Sequence, residues 1–308
     1  MKVKFNNDIL ACNERVFSLN IIEHNNGCIT GGNTTVYNRE VQNPEVTVTA
    51  DGIETLSDKD MTITYLKEVT TGSSAGTYTE VDECKDAGNY KIRVTGKGNY
   101  SGSFDLSYTI QQRNLNEDAK DYRFAIEPIS DQTYTGDAII PEELKVFEYA
   151  YDASAPDDKS NENAVLGEDD YNVTGTNNID VTSDIQKAEL TIEGKGNYTG
   201  TLTTEFVILP KNINDKTDSV YDVGLTEILE VEYTGELLTP VLPLKYNGHD
   251  LVEGTDYQVS YQVADTDEEG NPIQVDTNRD VGPVYGTIEG TGNYIGTRTF
   301  TVDDPIFK

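Results

Sequence analysis

Seven residues constrain this chain more than any others, because they come three times. The copies are Gly96-Lys97-Gly98-Asn99-Tyr100-Ser101-Gly102, Gly194-Lys195-Gly196-Asn197-Tyr198-Thr199-Gly200 and Gly290-Thr291-Gly292-Asn293-Tyr294-Ile295-Gly296. Their starts lie 98 and then 96 residues apart. A period that regular, carrying the same turn chemistry, marks one module repeated. Glycine enters positive φ at no steric cost, and asparagine tolerates it better than most residues. Alternating segments flank the turns, Lys91-Ile92-Arg93-Val94 before the first and Glu205-Phe206-Val207-Ile208 after the second. Each copy therefore reads as the tip of a β-hairpin.

Other landmarks keep the same beat. Tyr37, Tyr134 and Tyr233 each stand seven residues before a proline, Pro44, Pro141 and Pro240. Leu56 and Leu166 each precede an aspartate by four residues, Asp60 and Asp170. Gly282 stands eight residues before Gly290, as Gly88 does before Gly96. Strands are expected at Val16–Ile21, Glu45–Thr49, Met61–Tyr65 and Asp256–Tyr261, with a polar hairpin tip over Thr70–Gly76. No segment holds a 3.6-residue apolar period over three turns, and Glu142–Lys145 offers one helical turn at most. The expected fold is all-β: three tandem Ig-like antiparallel β-sandwich modules in an elongated array, with β-grasp-like modules as the alternative. The expected modules cover 1–112, 113–210 and 211–308. Ala153 to Asn163 reads as a solvated acidic loop. Residues 1–35 are the least repeat-like part, read either as a terminal cap or as a docking element.

The charge narrows the partners. Acidic residues number 55 against 23 basic, a net charge of -32. Such a chain repels phosphate backbones and gains nothing from anionic lipid, so neither nucleic acid nor membrane is an expected partner. No apolar run is long enough to span a bilayer, and Met1–Asp8 has no apolar leader. The expected partner is a protein, of a capsid or a cell surface, with a glycan as the further candidate. All three cysteines, Cys12, Cys28 and Cys84, fall in the first third. Small buried thiols are expected, with a Cys12–Cys28 bridge as the alternative.

Three kinds of site have a plainer reading beside them. His24 and His249 lie in different repeats and assemble no nucleophile–base pattern, so no catalytic residue and no cofactor is assigned. The stretch Asp265 to Asp276 has the ligand spacing of a calcium loop, with Asp265, Asp267, Glu269 and Asp276 as oxygen donors and Gly270 at the sharp turn. Pro272 and the absence of flanking helices favour a plain hairpin tip instead. Tyr100, Tyr198 and Tyr294 recur at each turn, either as structural pegs or as stacking platforms for a glycan.

The ordered set of Tyr-Thr-Gly, the spaced proline, an Asp-Tyr strand and Gly-x-Gly-Asn-Tyr-x-Gly resembles the tandem Ig-like repeats of bacterial surface proteins. The junctions Asn114-Leu115-Asn116 and Asn212-Ile213-Asn214 look like that family's repeat junctions. At Val36-Tyr37-Asn38 the first repeat departs from the pattern. The resemblance implies a display, spacer or adhesion role outside a cell, with no catalytic residues. Because the chain begins at Met with no leader, the expected setting is a phage virion surface, as a decoration or adhesion protein. The alternative is a bacterial surface adhesin or spacer fragment.

Overall fold

In the computed structural model, residues 19–20, 27–30, 32–48, 56–98, 100–116, 122–215, 224–225, 231–239, 242–276 and 282–307 are described. The protein is all-β, built from sheets packed face to face. Among the described residues the helical content is one 3-10 turn, Gly72–Ser74, at the tip expected over Thr70–Gly76. Glu142–Lys145 forms no helix. The chain divides into two compact units. One holds Met1–Phe124, Tyr149–Asn172 and Glu193–Thr201; the other holds Ala125–Glu148, Val173–Ile192 and Leu202–Lys308.

The first unit contains a five-stranded sheet in the order Thr34–Val36, Ser103–Gln111, Gly88–Gly96, Met61–Glu68, Tyr78–Val81. Alternation in the sequence becomes sidedness here. Along Gly88–Gly96, Tyr90, Ile92 and Val94 are buried, while Asn89, Arg93 and Thr95 face out. On the open face Arg93 sits opposite Asp105 and donates two hydrogen bonds to its carboxylate, at 2.8 and 3.0 Å. That pairing holds the Asp105 carboxyl below its ordinary pKa. A smaller sheet, Gly27–Ile29 with Val46–Val48, covers the inner face, and Val48, Leu56, Met61 and Val94 close the core between the layers. Cys28 and Cys84 are free thiols. Cys84 is buried as expected, and burial pushes its pKa up to about 12. Cys28 is exposed, because it sits in a short strand of the smaller sheet, and Cys12 lies outside the described residues.

The second unit repeats the plan. A four-stranded sheet runs Val231–Glu232, Thr297–Phe307, Gly282–Gly290, Tyr257–Ser260. Facing it is a three-stranded sheet of Gly224–Leu225, Leu244–Tyr246 and His249–Asp250. Leu242, Leu244, Tyr246, Tyr257, Ile288 and Phe300 fill the space between. The last two strands of the smaller sheet join through Asn247-Gly248, both at positive φ (47° and 82°), the two-residue turn whose twist suits a hairpin.

The three glycine turns are closed by one bonding scheme. Gly96 N–H donates to Gly102 O, Gly194 N–H to Gly200 O and Gly290 N–H to Gly296 O, at 2.9–3.0 Å. The next amide, of Lys97, Lys195 or Thr291, donates to the carbonyl of Asp60, Asp170 or Asp256, at 2.8–2.9 Å. Those aspartates each take a backbone amide on their own carboxylate, from Ser57, Gly167 and Val252. The recurring Leu-to-Asp spacing thus marks a small turn that anchors the hairpin tip. The glycines divide the work. Gly98, Gly196 and Gly292 lie at φ 62–67°, and Gly102, Gly200 and Gly296 at 82–87°. Gly194 and Gly290 have ordinary φ, but a Cβ there would stand 2.7 and 2.8 Å from the backbone nitrogens of Thr199 and Ile295.

Candidate functional site

The residues at the heart of the turn do more than turn. Each tip runs parallel to the start of its own repeat: Leu19–Asn20 with Tyr100–Ser101, Arg113–Asn114 with Tyr198–Thr199, and Lys211–Asn212 with Tyr294–Ile295. The tip is thereby fastened at the junction, where it reaches back to the repeat before.

Two such joints are described, one in each unit. In the first unit the Asn197 side chain accepts a hydrogen bond from Ala87 N–H at 2.7 Å and donates to the Asp86 carboxylate at 3.2 Å. In the second, Asn293 accepts from Val181 N–H at 2.9 Å and donates to the Asp180 carboxylate at 2.9 Å. The same amide reads the same pair of neighbouring groups twice. Beside it, the Tyr37 ring meets Tyr198 edge-on at 5.6 Å, and Tyr134 meets Tyr294 edge-on at 5.4 Å. Arg39 Nε donates to the Tyr198 hydroxyl at 3.1 Å. Tyr246 donates its hydroxyl hydrogen to Tyr134 O at 2.8 Å, and Asn247 Nδ2 donates to Thr135 O and to Asp137.

Magnitudes decide whether such a joint holds. An edge-on ring pair adds about 0.5–1.5 kcal/mol beyond burial. A net side-chain hydrogen bond adds about 1 kcal/mol, and the amide makes two. About 3 kcal/mol favours the closed joint by roughly a hundredfold. Tyr198 and Tyr294 are 2% and 5% exposed, so their faces are spent on packing and unavailable to a glycan. The peg reading is the one these two positions take.

Burial raises the pKa of Tyr37, Tyr134, Tyr198 and Tyr294, desolvation being the largest cause at each. It lifts Tyr90 to about 12. A folded pKa above the unfolded value near 10 means that stability is complete below about pH 10 and is lost as pH climbs through the folded values. We expect tyrosinate absorbance of these rings to emerge together with loss of the β signal in circular dichroism between about pH 10 and 12. Full ionisation near pH 10 with the fold intact would contradict the packing described.

The other candidate residues fall elsewhere. Asp265 and Asp276 belong to an antiparallel hairpin, Gln262–Thr266 with Pro272–Asp276, where Asp276 pairs with Gln262 and Asp265 with Ile273. Asp267 closes its turn: one oxygen accepts from Glu269 N–H and Asn271 N–H, the other from Asn271 Nδ2. These bonds hold its carboxyl below the ordinary pKa. Gly270 turns at φ 84°, and Glu269 is exposed. Among the described residues no group of three or more His, Cys, Asp or Glu side chains is placed to hold a metal ion. His249 pairs with Asp137 at 3.2 Å on the surface, and His24 and Asn99 lie outside the described residues. Among the described residues no helix is long and apolar enough to cross a membrane.

Sequence reasoning missed Asn197 and Asn293 as joint residues, together with Asn247. The Asn-Gly dipeptide at 247–248 was a legible hairpin signal, but the partners of all three asparagines lie far away in sequence.

No family model matches the chain, and no curated protein matches it. Among solved structures it is similar to protocadherin gamma B2 extracellular cadherin domains 3–6, at 12% identity over 90% of this chain and 72% of that one, with a TM-score of 0.19. It is also similar to the protocadherin gammaB7 EC3-6 cis-dimer structure, at 11% identity over 89% and 71%, with a TM-score of 0.16. At those TM-scores neither likeness carries an argument.

Proposed function

We propose that this is a non-enzymatic display or spacer protein made of three Ig-like modules, over 1–112, 113–210 and 211–308, the second and third each seated on the module before through its glycine turn. The observation that carries the reading is the twice-built asparagine joint, at Asn197 and at Asn293. The residues the repeat keeps constant are taken up in holding one module against another, which is what a spacer requires and what catalysis does not. The setting we assign is the surface of a particle, as a phage virion decoration or adhesion protein. Free thiols at Cys28 and Cys84 support assembly in a reducing compartment. The net charge of -32 supports a solvated, exposed surface. Mass spectrometry of purified particles and of cell-wall fractions tests this. The chain is expected in the particles; recovery from cell walls alone would transfer it to the bacterial surface.

A further inference from the structure

The third repeat carries the receiving half of a joint, and its tyrosine is exposed. Thr133 pairs with Leu209, Val36 with Gln111 and Glu232 with Phe307, so Tyr134, Tyr37 and Tyr233 each follow the same parallel pair. Tyr37 is 9% exposed and meets the ring of Tyr198; Tyr134 is half-buried against Tyr294. Tyr233 is 42% exposed, and Leu237 beside it is exposed too.

This open copy already has the occupied shape. Gly136 and Gly235 turn at φ 88° and 80°. Asp137 N–H donates to the Thr135 hydroxyl at 3.3 Å, and Glu236 N–H donates to the Thr234 hydroxyl at 3.3 Å. Glu236 also keeps the acidic side chain that Asp137 uses to bind Asn247 and His249. A preformed receptor loses little entropy on binding.

The complementary half is in the first repeat. Its turn is closed by the same amide bonds as the other two. Tyr100 is only half-buried, whereas Tyr198 and Tyr294, each covered by a preceding repeat, are buried. Lys97 in this turn is opposite in charge to Glu236.

We propose that the Tyr233-Thr234-Gly235-Glu236 turn is a docking site for the first glycine turn, Gly96–Gly102, of a second copy of this chain. This rests on the joint reading above. The contact is heterologous, so it leaves one free end of each kind and adds copies head to tail. Inside the chain each joint is helped by the covalent linker, which acts as a local concentration of about millimolar. Between copies that help is absent, and like charge opposes approach until salt screens it over a Debye length of about 8 Å or less.

Sedimentation equilibrium of the full chain across a wide concentration range, at low and raised salt, tests the proposal. The expected result is a weight-average mass that rises with concentration and rises further with salt. Tyr233→Ala, an exposed change that spares the core, should weaken association at least about tenfold. Asn99→Ala, at the sequence position of Asn197 and Asn293, should do the same. A mixture of the two variants should form dimers and stop there, because each retains one working end. A chain that stays monomeric at the highest concentration, or that associates equally well in both variants, overturns the proposal. Either result leaves the internal joints to be judged by their own variant, Tyr294→Ala.

Discussion

Replacing Tyr294 by alanine is expected to lower stability by about 3–5 kcal/mol, the range for removing a large aromatic side chain from a core. The ring is 5% exposed and belongs to the main cluster of the second unit. It also meets Tyr134 at 5.4 Å and Tyr246 at 5.8 Å, both edge-on, so two ring contacts vanish with it. Denaturant unfolding followed by circular dichroism reads the total. Hydrogen exchange separates the joint from the core. Val181 N–H is held by the Asn293 side chain and Lys211 N–H by the Asn293 carbonyl. Both amides should lose protection under conditions where Ile288, deep in the sheet, keeps its own. Uniform loss at all three would mean that Tyr294 serves the core alone and that the joint is incidental.

The second large effect concerns a glycine whose backbone is ordinary. Gly194→Ala should cost about 3 kcal/mol or more, among the larger single-residue effects. Its Cβ would meet Thr199 N at 2.7 Å and Tyr198 C at 2.9 Å, and backbone atoms have no rotamer by which to retreat. Gly196→Ala, two residues on, should cost less, about 1–2 kcal/mol for a left-handed φ. There φ is 64° and the nearest atom, Asp169 O, is 3.9 Å from the added carbon. The midpoints of urea unfolding should rank wild type, Gly196→Ala, Gly194→Ala. The reverse order would show that turn conformation, and not the close approach of the returning strand, is what the first glycine serves.

That contrast separates local demands from those the fold imposes. Gly98, Gly196 and Gly292 are legible because a left-handed residue inside a hairpin tip is a local demand. Gly194 and Gly290 look alike in the sequence, yet their reason is the close return of the turn's own backbone at Thr199 and Ile295, visible only in the fold. The same holds for the tyrosines. Alternation was enough to put Ile92 and Val94 on one face of their strand, since period two is set by the strand itself. It could not say that Tyr198 would be covered by Tyr37 from another repeat, or that Tyr233 would be left uncovered.

The acidic stretch at 265–276 makes the complementary point. Spacing alone offered Asp267 as a metal donor, and spacing alone also offered a hairpin turn. In the fold its two oxygens accept from Glu269 and Asn271, the bonds of a hairpin turn. A carboxylate's role depends on which donors the backbone brings within 3 Å, a question of chain path rather than of residue type.

Period, alternation and turn residues act over a few neighbours, so the order of the letters was enough for the all-β class, the hairpin tips and the threefold repeat. Partners across tens of residues depend on how the chain returns upon itself. Only the folded arrangement could therefore turn a repeated asparagine and tyrosine from punctuation into a joint, and leave one of its halves open at Tyr233.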